Sequence, residues 1–166
     1  RVEADLGAWI SAGALTIRAT LVADPLTAIM LLVVTGVGSV IHAYAIGYMA
    51  RDPGRLRFFC YLNLFLVAML VLVLAGDLVL LFAGWEGVGL CSYLLIGFWW
   101  TEPANARAGV KAFLVNRVGD AGMLVGLCLL AWATLAGTGE ARLGIEAVRT
   151  AVPTLDPRLA TAAGGL

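Results

Sequence analysis

The stretch Trp85-Glu86-Gly87-Val88-Gly89-Leu90-Cys91-Ser92-Tyr93 places one carboxylate inside a long apolar segment. The segment runs from Leu78 to Thr101, carries no other charged side chain, and is long enough for a helix to cross a bilayer. A charged side chain at the centre of such a helix costs about 2.5–3.5 kcal/mol on insertion scales. Glu86 is therefore expected to face protein or water, or to carry a proton, which makes it a candidate functional residue.

Composition places the chain among multi-pass membrane proteins. Of its 166 residues, 61% are hydrophobic and 13% are charged, whereas soluble domains carry about 25% charged residues. The net charge is zero and there is no run of Lys or Arg, so nucleic acid is not an expected partner. Cys60, Cys91 and Cys128 lie apart in apolar runs, without metal-ligand spacing. We expect neither a metal nor a bound cofactor on this chain.

Four apolar segments predict four transmembrane helices within residues 25–136. The fourth segment is longer than a membrane span requires, so its first turns are expected at or beyond the interface. Asp24 and Pro25 are typical of a helix N-cap and first helical position. The predicted helices cover about residues 26–50, 56–76, 78–99 and 104–136.

Both flanks of this region are predicted to lie outside the membrane. Within residues 1–24, apolar residues alternate with Thr16, Arg18 and Thr20, which predicts a short β-hairpin. Residues 137–166 predict a tail with at most a short amphipathic helix. The chain has neither an initial Met nor a signal-peptide pattern, and we expect it to be a piece of a larger bundle. The expected fold class is an all-α integral membrane protein with one extramembrane hairpin.

The distribution of basic residues predicts the orientation. Residues 51–57 contain three arginines, and residues 100–111, the loop on the same face, contain Arg107 and Lys111. The connection between the second and third helices contains neither Lys nor Arg. The positive-inside rule therefore places both basic loops in the cytoplasm, with the hairpin and the tail outside.

Two further candidates lie on the fourth helix. Arg117 and Asp120 are three residues apart and hence on one face, which predicts a coupled ion pair that neutralises both groups. A second interpretation adds that Asp120 is released from its pair with Arg117 when another carboxylate or cation moves nearby. Lys111 lies about half a turn out of phase with Asp120 and is expected to extend its ammonium group to the cytoplasmic face, which makes it a weaker candidate.

His42 is the only histidine and another weaker candidate. It lies two turns before the end of the first predicted helix, close to Tyr44 and Tyr48. This position is typical of an interfacial residue in an aromatic belt. A proton-relay role is the alternative, because a histidine changes its charge near neutral pH.

Three motifs resemble those of the antiporter-like subunit L family of respiratory complex I. The similarity covers about residues 15–136, in the family's order and spacing. The first motif is the stretch from Trp85 to Trp99. The second is Lys111-Ala112-Phe113-Leu114-Val115-Asn116-Arg117-Val118-Gly119-Asp120. The third consists of two stretches that resemble a single helix of the family, Asp24-Pro25-Leu26-Thr27 and Ile41-His42-Ala43-Tyr44.

The resemblance implies a proton-translocating subunit at the far end of the membrane arm, driven by quinone reduction elsewhere. Glu86 matches the family's key glutamate, and Arg117 with Asp120 matches a paired site beside it. NAD, FMN, iron–sulfur clusters and quinone are expected elsewhere in the complex, with no redox chemistry on this chain. The expected partners are other membrane-arm subunits, protons and the lipid of a bacterial inner membrane. The family's channel also needs lysines on later helices, which this sequence does not contain.

Two alternative functions stay open. A subunit of a multi-subunit sodium/proton antiporter would share the fold and the glutamate, although the continuations Val88–Tyr93 and Asn116–Asp120 favour complex I. A passive membrane scaffold with buried salt bridges would keep the charges without moving protons. Proton flux after neutralisation of Glu86 distinguishes the scaffold from the two transporters.

Overall fold

Four long helices form the main body of the computed structural model, which describes residues 1–13, 15–139, 141, 143–151 and 161. Each of the four is long and apolar enough to cross a membrane. The predicted fold class is thereby confirmed. In chain order the elements are β1 (Val2–Ala12), β2 (Leu15–Ala23), α1 (Pro25–Tyr48), α2 (Arg55–Leu74), α3 (Leu78–Ile96), α4 (Pro103–Thr138) and α5 (Ile145–Ala151).

Three helices end two or three residues earlier than the sequence predicts, α1 at Tyr48, α2 at Leu74 and α3 at Ile96, whereas α4 extends to Thr138. Helix α1 ends at Tyr48 because the chain tightens into turns, in which the side chain of Met49 is fully buried. Helix α3 ends at Ile96 instead of residue 99, because the following turn places the Phe98 ring in the interior with 2% exposure. That ring packs edge-on against Phe58 of α2 at a centroid distance of 5.3 Å. A buried apolar side chain thus follows directly after α1 and closely after α3.

The N-terminal hairpin is longer than the predicted one. Strands β1 and β2 pair antiparallel from Val2 opposite Ala23 to Ala12 opposite Leu15, with register shifts on either side of Ala8. Gly7 has a φ of +104°, which only glycine adopts readily and which permits the irregularity in β1.

Small residues bring α2 and α3 close together. A Cβ atom on Gly84 would lie 2.7 Å from the backbone nitrogen of Leu72, and one on Gly87 would lie 3.0 Å from the Cβ of Ala68. Cys91, one turn further along α3, is fully buried. Small side chains permit such close backbone approach between membrane helices. This contact fixes one face of α3 against α2 and leaves another face for α4.

Hydrogen bonds connect the hairpin, the α2–α3 connection and the residues before α5, which all lie at one end of the bundle. The N–H of Gly76 donates to the carbonyl of Thr20 at 2.8 Å, and the N–H of Leu78 donates to the carbonyl of Leu143 at 2.9 Å. The carboxylate of Asp77 caps α3 by accepting from the N–H of Val79 at 2.8 Å. Burial raises the pKa of this carboxyl group. Of the predicted tail, residues 140, 142, 152–160 and 162–166 lie outside the described residues.

The two basic loops meet at the opposite end. The indole N–H of Trp99, after α3, donates to the carboxylate of Asp52, before α2, at 2.8 Å. That hydrogen bond is the main cause of the lowered pKa of Asp52. The guanidinium of Arg57 lies 4.8 Å from the centroid of the Phe98 ring. Both basic loops therefore lie on one face of the bundle.

Candidate functional site

The candidate site lies between α3 and α4, and each helix contributes two polar side chains. Helix α3 contributes the neighbours Trp85 and Glu86, and Glu86 is the ninth of its nineteen residues. Helix α4 contributes Arg117 and Asp120, which lie one turn apart. We refer to Glu86, Arg117 and Asp120 as the charged cluster.

The guanidinium of Arg117 is at the centre of the charged cluster. Its Nη1 donates a hydrogen bond to Oε2 of Glu86, and its Nε lies 3.8 Å from Oδ2 of Asp120. The ring of Phe113, one turn earlier on α4, lies 4.4 Å from the central carbon of the guanidinium. Arg117 therefore contacts a carboxylate from each helix and an aromatic face, a set of contacts that suits a weakly hydrated cation.

The three charged side chains differ in burial. The side chain of Asp120 is 8% exposed, that of Glu86 24%, and that of Arg117 40%. Oδ1 of Asp120 accepts a hydrogen bond from the indole N–H of Trp85 at 2.7 Å. The most buried carboxylate thus has a neutral donor close to it, while the arginine is hydrogen-bonded to the other carboxylate.

The charge of the cluster does not balance when all three groups are ionised. Two carboxylates face one guanidinium, which leaves one negative charge in excess. An uncompensated charge at membrane depth is costly, and uptake of one proton by either carboxylate removes it. The arrangement is therefore chemically suited to bind and release a proton.

The sequence predicted a local pair between Arg117 and Asp120, and the structure adds the contact across to the neighbouring helix. The hydrogen bond of Arg117 goes to Glu86 of α3, whereas Asp120 lies beyond hydrogen-bond range of its Nε at 3.8 Å. The charged cluster therefore holds a salt bridge within α4, between Arg117 and Asp120, together with an ion pair that links Arg117 to Glu86 of α3.

The two weaker candidates lie apart from the cluster. Lys111 is exposed and lines a shallow groove of about 440 Å³ together with Arg107. His42 lies on α1, where its Nδ1 is 2.8 Å from the carbonyl oxygen of Gly38 and its ring faces Phe59 of α2. Its Nε2 is buried and has no hydrogen-bond partner among the described residues. Neither residue has a polar contact with the charged cluster in the part of the chain that the structure describes.

Two residues of the site were not predicted from the sequence. Phe113 lies four residues before Arg117, and this helical spacing, which places the two on one face, was the signal that could have indicated the contact. Trp85 is a neighbour of Glu86, but its hydrogen bond reaches Asp120, 35 positions away. Only the packing of α3 against α4 shows that contact.

Two family models match the chain and define its class. The model of the N-terminus of chain 5 of NADH-ubiquinone oxidoreductase (complex I) matches residues 9–59. The transmembrane model shared by NADH:quinone oxidoreductase and Mrp antiporters matches residues 75–150. Together with four membrane-length helices and an intramembrane charged cluster, they define an antiporter-like subunit, an integral membrane protein. The chain belongs to the complex I chain 5 family, of which the relatives from Mycobacterium tuberculosis and Escherichia coli are named subunit L.

Similar proteins agree with this assignment. NADH-quinone oxidoreductase subunit L of Mycobacterium tuberculosis (strain ATCC 25618 / H37Rv) is 59% identical over 121 residues, which are 73% of this chain and 19% of the relative. The subunit L of Escherichia coli (strain K12) is 54% identical over 125 residues, 75% of this chain and 20% of the relative. A solved structure of the Mrp complex from Dietzia sp. DQ12-45-1b superposes with a TM-score of 0.78 at 28% identity, covering 99% of this chain and 17% of that one. The chain therefore spans about a fifth of the length of these curated relatives.

Proposed function

We propose that this chain is part of a proton-translocating membrane subunit of NADH:quinone oxidoreductase. The observation that carries the proposal is the charged cluster, in which Arg117 of α4 is hydrogen-bonded to Glu86 in the middle of α3 while Asp120 lies within 4 Å. Ionisable residues inside membrane helices mark ion pathways more often than structural contacts. The names of the relatives indicate the complex to which such a pathway belongs.

In the proposed mechanism, Arg117 moves between the two carboxylates and Glu86 carries the proton. While Arg117 is bound to Glu86, that carboxylate is ionised and paired. When the guanidinium moves to Asp120, Glu86 loses both its counter-ion and its one hydrogen-bond donor among the described residues, whereas Asp120 keeps the indole donor of Trp85 in either state. Uptake of a proton by Glu86 therefore avoids a charge with neither counter-ion nor donor at membrane depth. Return of Arg117 to Glu86 expels the proton. The distance of 3.8 Å between Nε and Asp120 means that only a small displacement is needed.

The redox chemistry belongs elsewhere in the proposed complex. NAD, FMN, iron–sulfur clusters and quinone would be bound by other subunits, and this chain would take part through its contacts with membrane-arm neighbours. The names of the relatives indicate that they are subunits of NADH-quinone oxidoreductases. Lys111 and His42 have no assigned step in the mechanism, because neither is in contact with the cluster among the described residues.

The sodium/proton antiporter is the second candidate function, and the structural similarity to the Mrp complex supports it. Sequence identity favours complex I, since the subunit L relatives are 54–59% identical and the Mrp structure is 28% identical. Pumping by the purified complex in sodium-free medium decides between them. Loss of transport without sodium would favour the antiporter.

Glu86→Gln tests the proposal directly. The amide keeps the size of the side chain but does not titrate, so the complex should assemble while proton pumping per NADH oxidised falls roughly tenfold or more. The measurement is proton uptake into vesicles that contain the complex, driven by NADH. Glu86→Asp, which keeps the acid one methylene shorter, should retain part of the pumping.

Glu102→Gln is the matched control for this experiment. Glu102 is exposed and precedes α4, outside the cluster, so its substitution should leave pumping unchanged. If Glu86→Gln pumps as well as Glu102→Gln, Glu86 carries no transported proton. The passive scaffold with buried salt bridges would then be the better description.

The proposed location is the bacterial inner membrane, with the basic loops in the cytoplasm and the hairpin and tail outside. Both basic loops lie at one end of the bundle and the hairpin lies at the other, as this orientation requires. Cysteines introduced at Gly54 and Asn105, with the native cysteines replaced by serine, should react only with reagents applied from the cytoplasmic side. Labelling from the outside would reverse the orientation.

A further inference from the structure

Two neighbouring residues of α3 contact the two charged residues of α4 separately. Glu86 accepts a hydrogen bond from Arg117, and Trp85 donates one to Asp120 at 2.7 Å. Asp120 is among the few charged residues buried in the described part of the chain, at 6% exposure. The indole ring of Trp85 is half exposed, so burial of the ring alone does not account for its position.

The indole N–H is the closest donor to Asp120. The alternative donor, Nε of Arg117, lies 3.8 Å from the carboxylate, which is beyond hydrogen-bond range. A buried carboxylate without a donor is strongly disfavoured. While Arg117 is hydrogen-bonded to Glu86, Asp120 therefore depends on Trp85 for the hydrogen bond that its charge requires.

We propose that Trp85 is a positioning residue of the proton site, whose indole N–H holds the carboxylate of Asp120 while Arg117 is bound to Glu86. The inference rests on the proposed function and adds a residue and a role to it. Without this donor, Asp120 would draw Arg117 away from Glu86, and the cluster would lose one of the two states between which the arginine moves. Trp85 thus keeps both positions of the guanidinium accessible.

Trp85→Phe tests the role, because phenylalanine keeps an aromatic ring and removes only the N–H donor and part of the ring area. We expect the complex to assemble and proton pumping per NADH oxidised to fall about tenfold. Trp132→Phe is the matched control. Trp132 lies on α4, has 55% exposure against 50% for Trp85, and makes no hydrogen bond among the described residues. Its substitution should leave pumping unchanged.

A double-substitution cycle separates positioning from simple space filling. Since Asp120→Asn should itself weaken pumping, the cycle is read from the melting temperature of the extracted complex. Trp85→Phe should lower this temperature in the wild-type background and by much less in the Asp120→Asn background, because the charge that the indole holds is already gone. A residue that only fills space would lower the melting temperature by the same amount in both backgrounds. Equal shifts, or a Trp85→Phe complex that pumps like Trp132→Phe, would overturn the inference.

A measurement on unsubstituted Trp85 covers the case in which the variant does not assemble. Ultraviolet resonance Raman spectra report the hydrogen bonding of indole N–H groups. The difference spectrum between wild type and Asp120→Leu, in which no acceptor remains at position 120, should show the loss of one strong hydrogen bond, and its absence would contradict the proposed contact. Normal pumping by Glu86→Gln would refute the proposed function itself. Loss of pumping in Glu86→Gln but not in Trp85→Phe would refute only the role of Trp85.

Discussion

Replacement of Arg117 by leucine is expected to reduce the amount of assembled complex more than any other single substitution in the charged cluster. The change removes the only cation and leaves two carboxylates near each other, one of them with an 8% exposed side chain. Carboxylates without a counter-ion at membrane depth are strongly disfavoured. Quantitative immunodetection of the complex in membranes, together with its thermal stability after extraction, measures the effect.

The double substitution Arg117→Leu with Asp120→Asn should be less harmful than Arg117→Leu alone. It removes one positive and one negative charge, so the net charge of the cluster returns to its original value. Arg107→Leu is the control on the same helix, because Arg107 is exposed and has no ion pair among the described residues. If the double variant assembles less well than the single one, charge compensation does not explain the role of Arg117.

Replacement of Gly84 by alanine should also have a large effect, through packing alone. The added methyl group would lie 2.7 Å from the backbone nitrogen of Leu72 and 2.9 Å from its Cα, neither of which can rotate away. Helices α2 and α3 must therefore separate, and overpacking of this kind typically costs about 1–3 kcal/mol. We expect a lower melting temperature of the extracted complex and weaker pumping, because α3 also carries Glu86.

Gly89→Ala provides a matched control on the same helix. A Cβ atom at Gly89 meets no atom within 4 Å among the described residues, so this variant should assemble normally or better. Equal stability of the two variants would show that the close contact between Gly84 and Leu72 does not hold α3 in place.

The four helices were predictable from the sequence because each contains an apolar run of membrane-spanning length with few charged side chains. The sequence did not predict the full hairpin. Residues 2–6 of β1 alternate apolar and polar side chains, but the alternation stops at Gly7, where the register shifts begin. Strand β2 faces the bundle on one side, where Ile17 is buried. Its alternation of apolar and polar residues could therefore be seen in the sequence.

The site was predictable in its members but not in its contacts. The depth of Glu86 and the helical spacing of Arg117 and Asp120 follow from positions along single helices. Which carboxylate binds the guanidinium depends on the rotation of α3 relative to α4, which the contact between Gly84 and α2 helps to fix. The hydrogen bond of Trp85 depends on the same rotation, and spacing along the chain contains no information about it.

Infrared difference spectroscopy of the complex during NADH oxidation tests the central claim most directly, since it detects changes in carboxyl protonation. The proposed mechanism predicts a carboxyl band that shifts in deuterated water, is present in wild type and in Glu102→Gln, and is absent in Glu86→Gln. Identical spectra for wild type and Glu86→Gln, recorded on complexes that both turn over, would show that Glu86 neither takes up nor releases a proton.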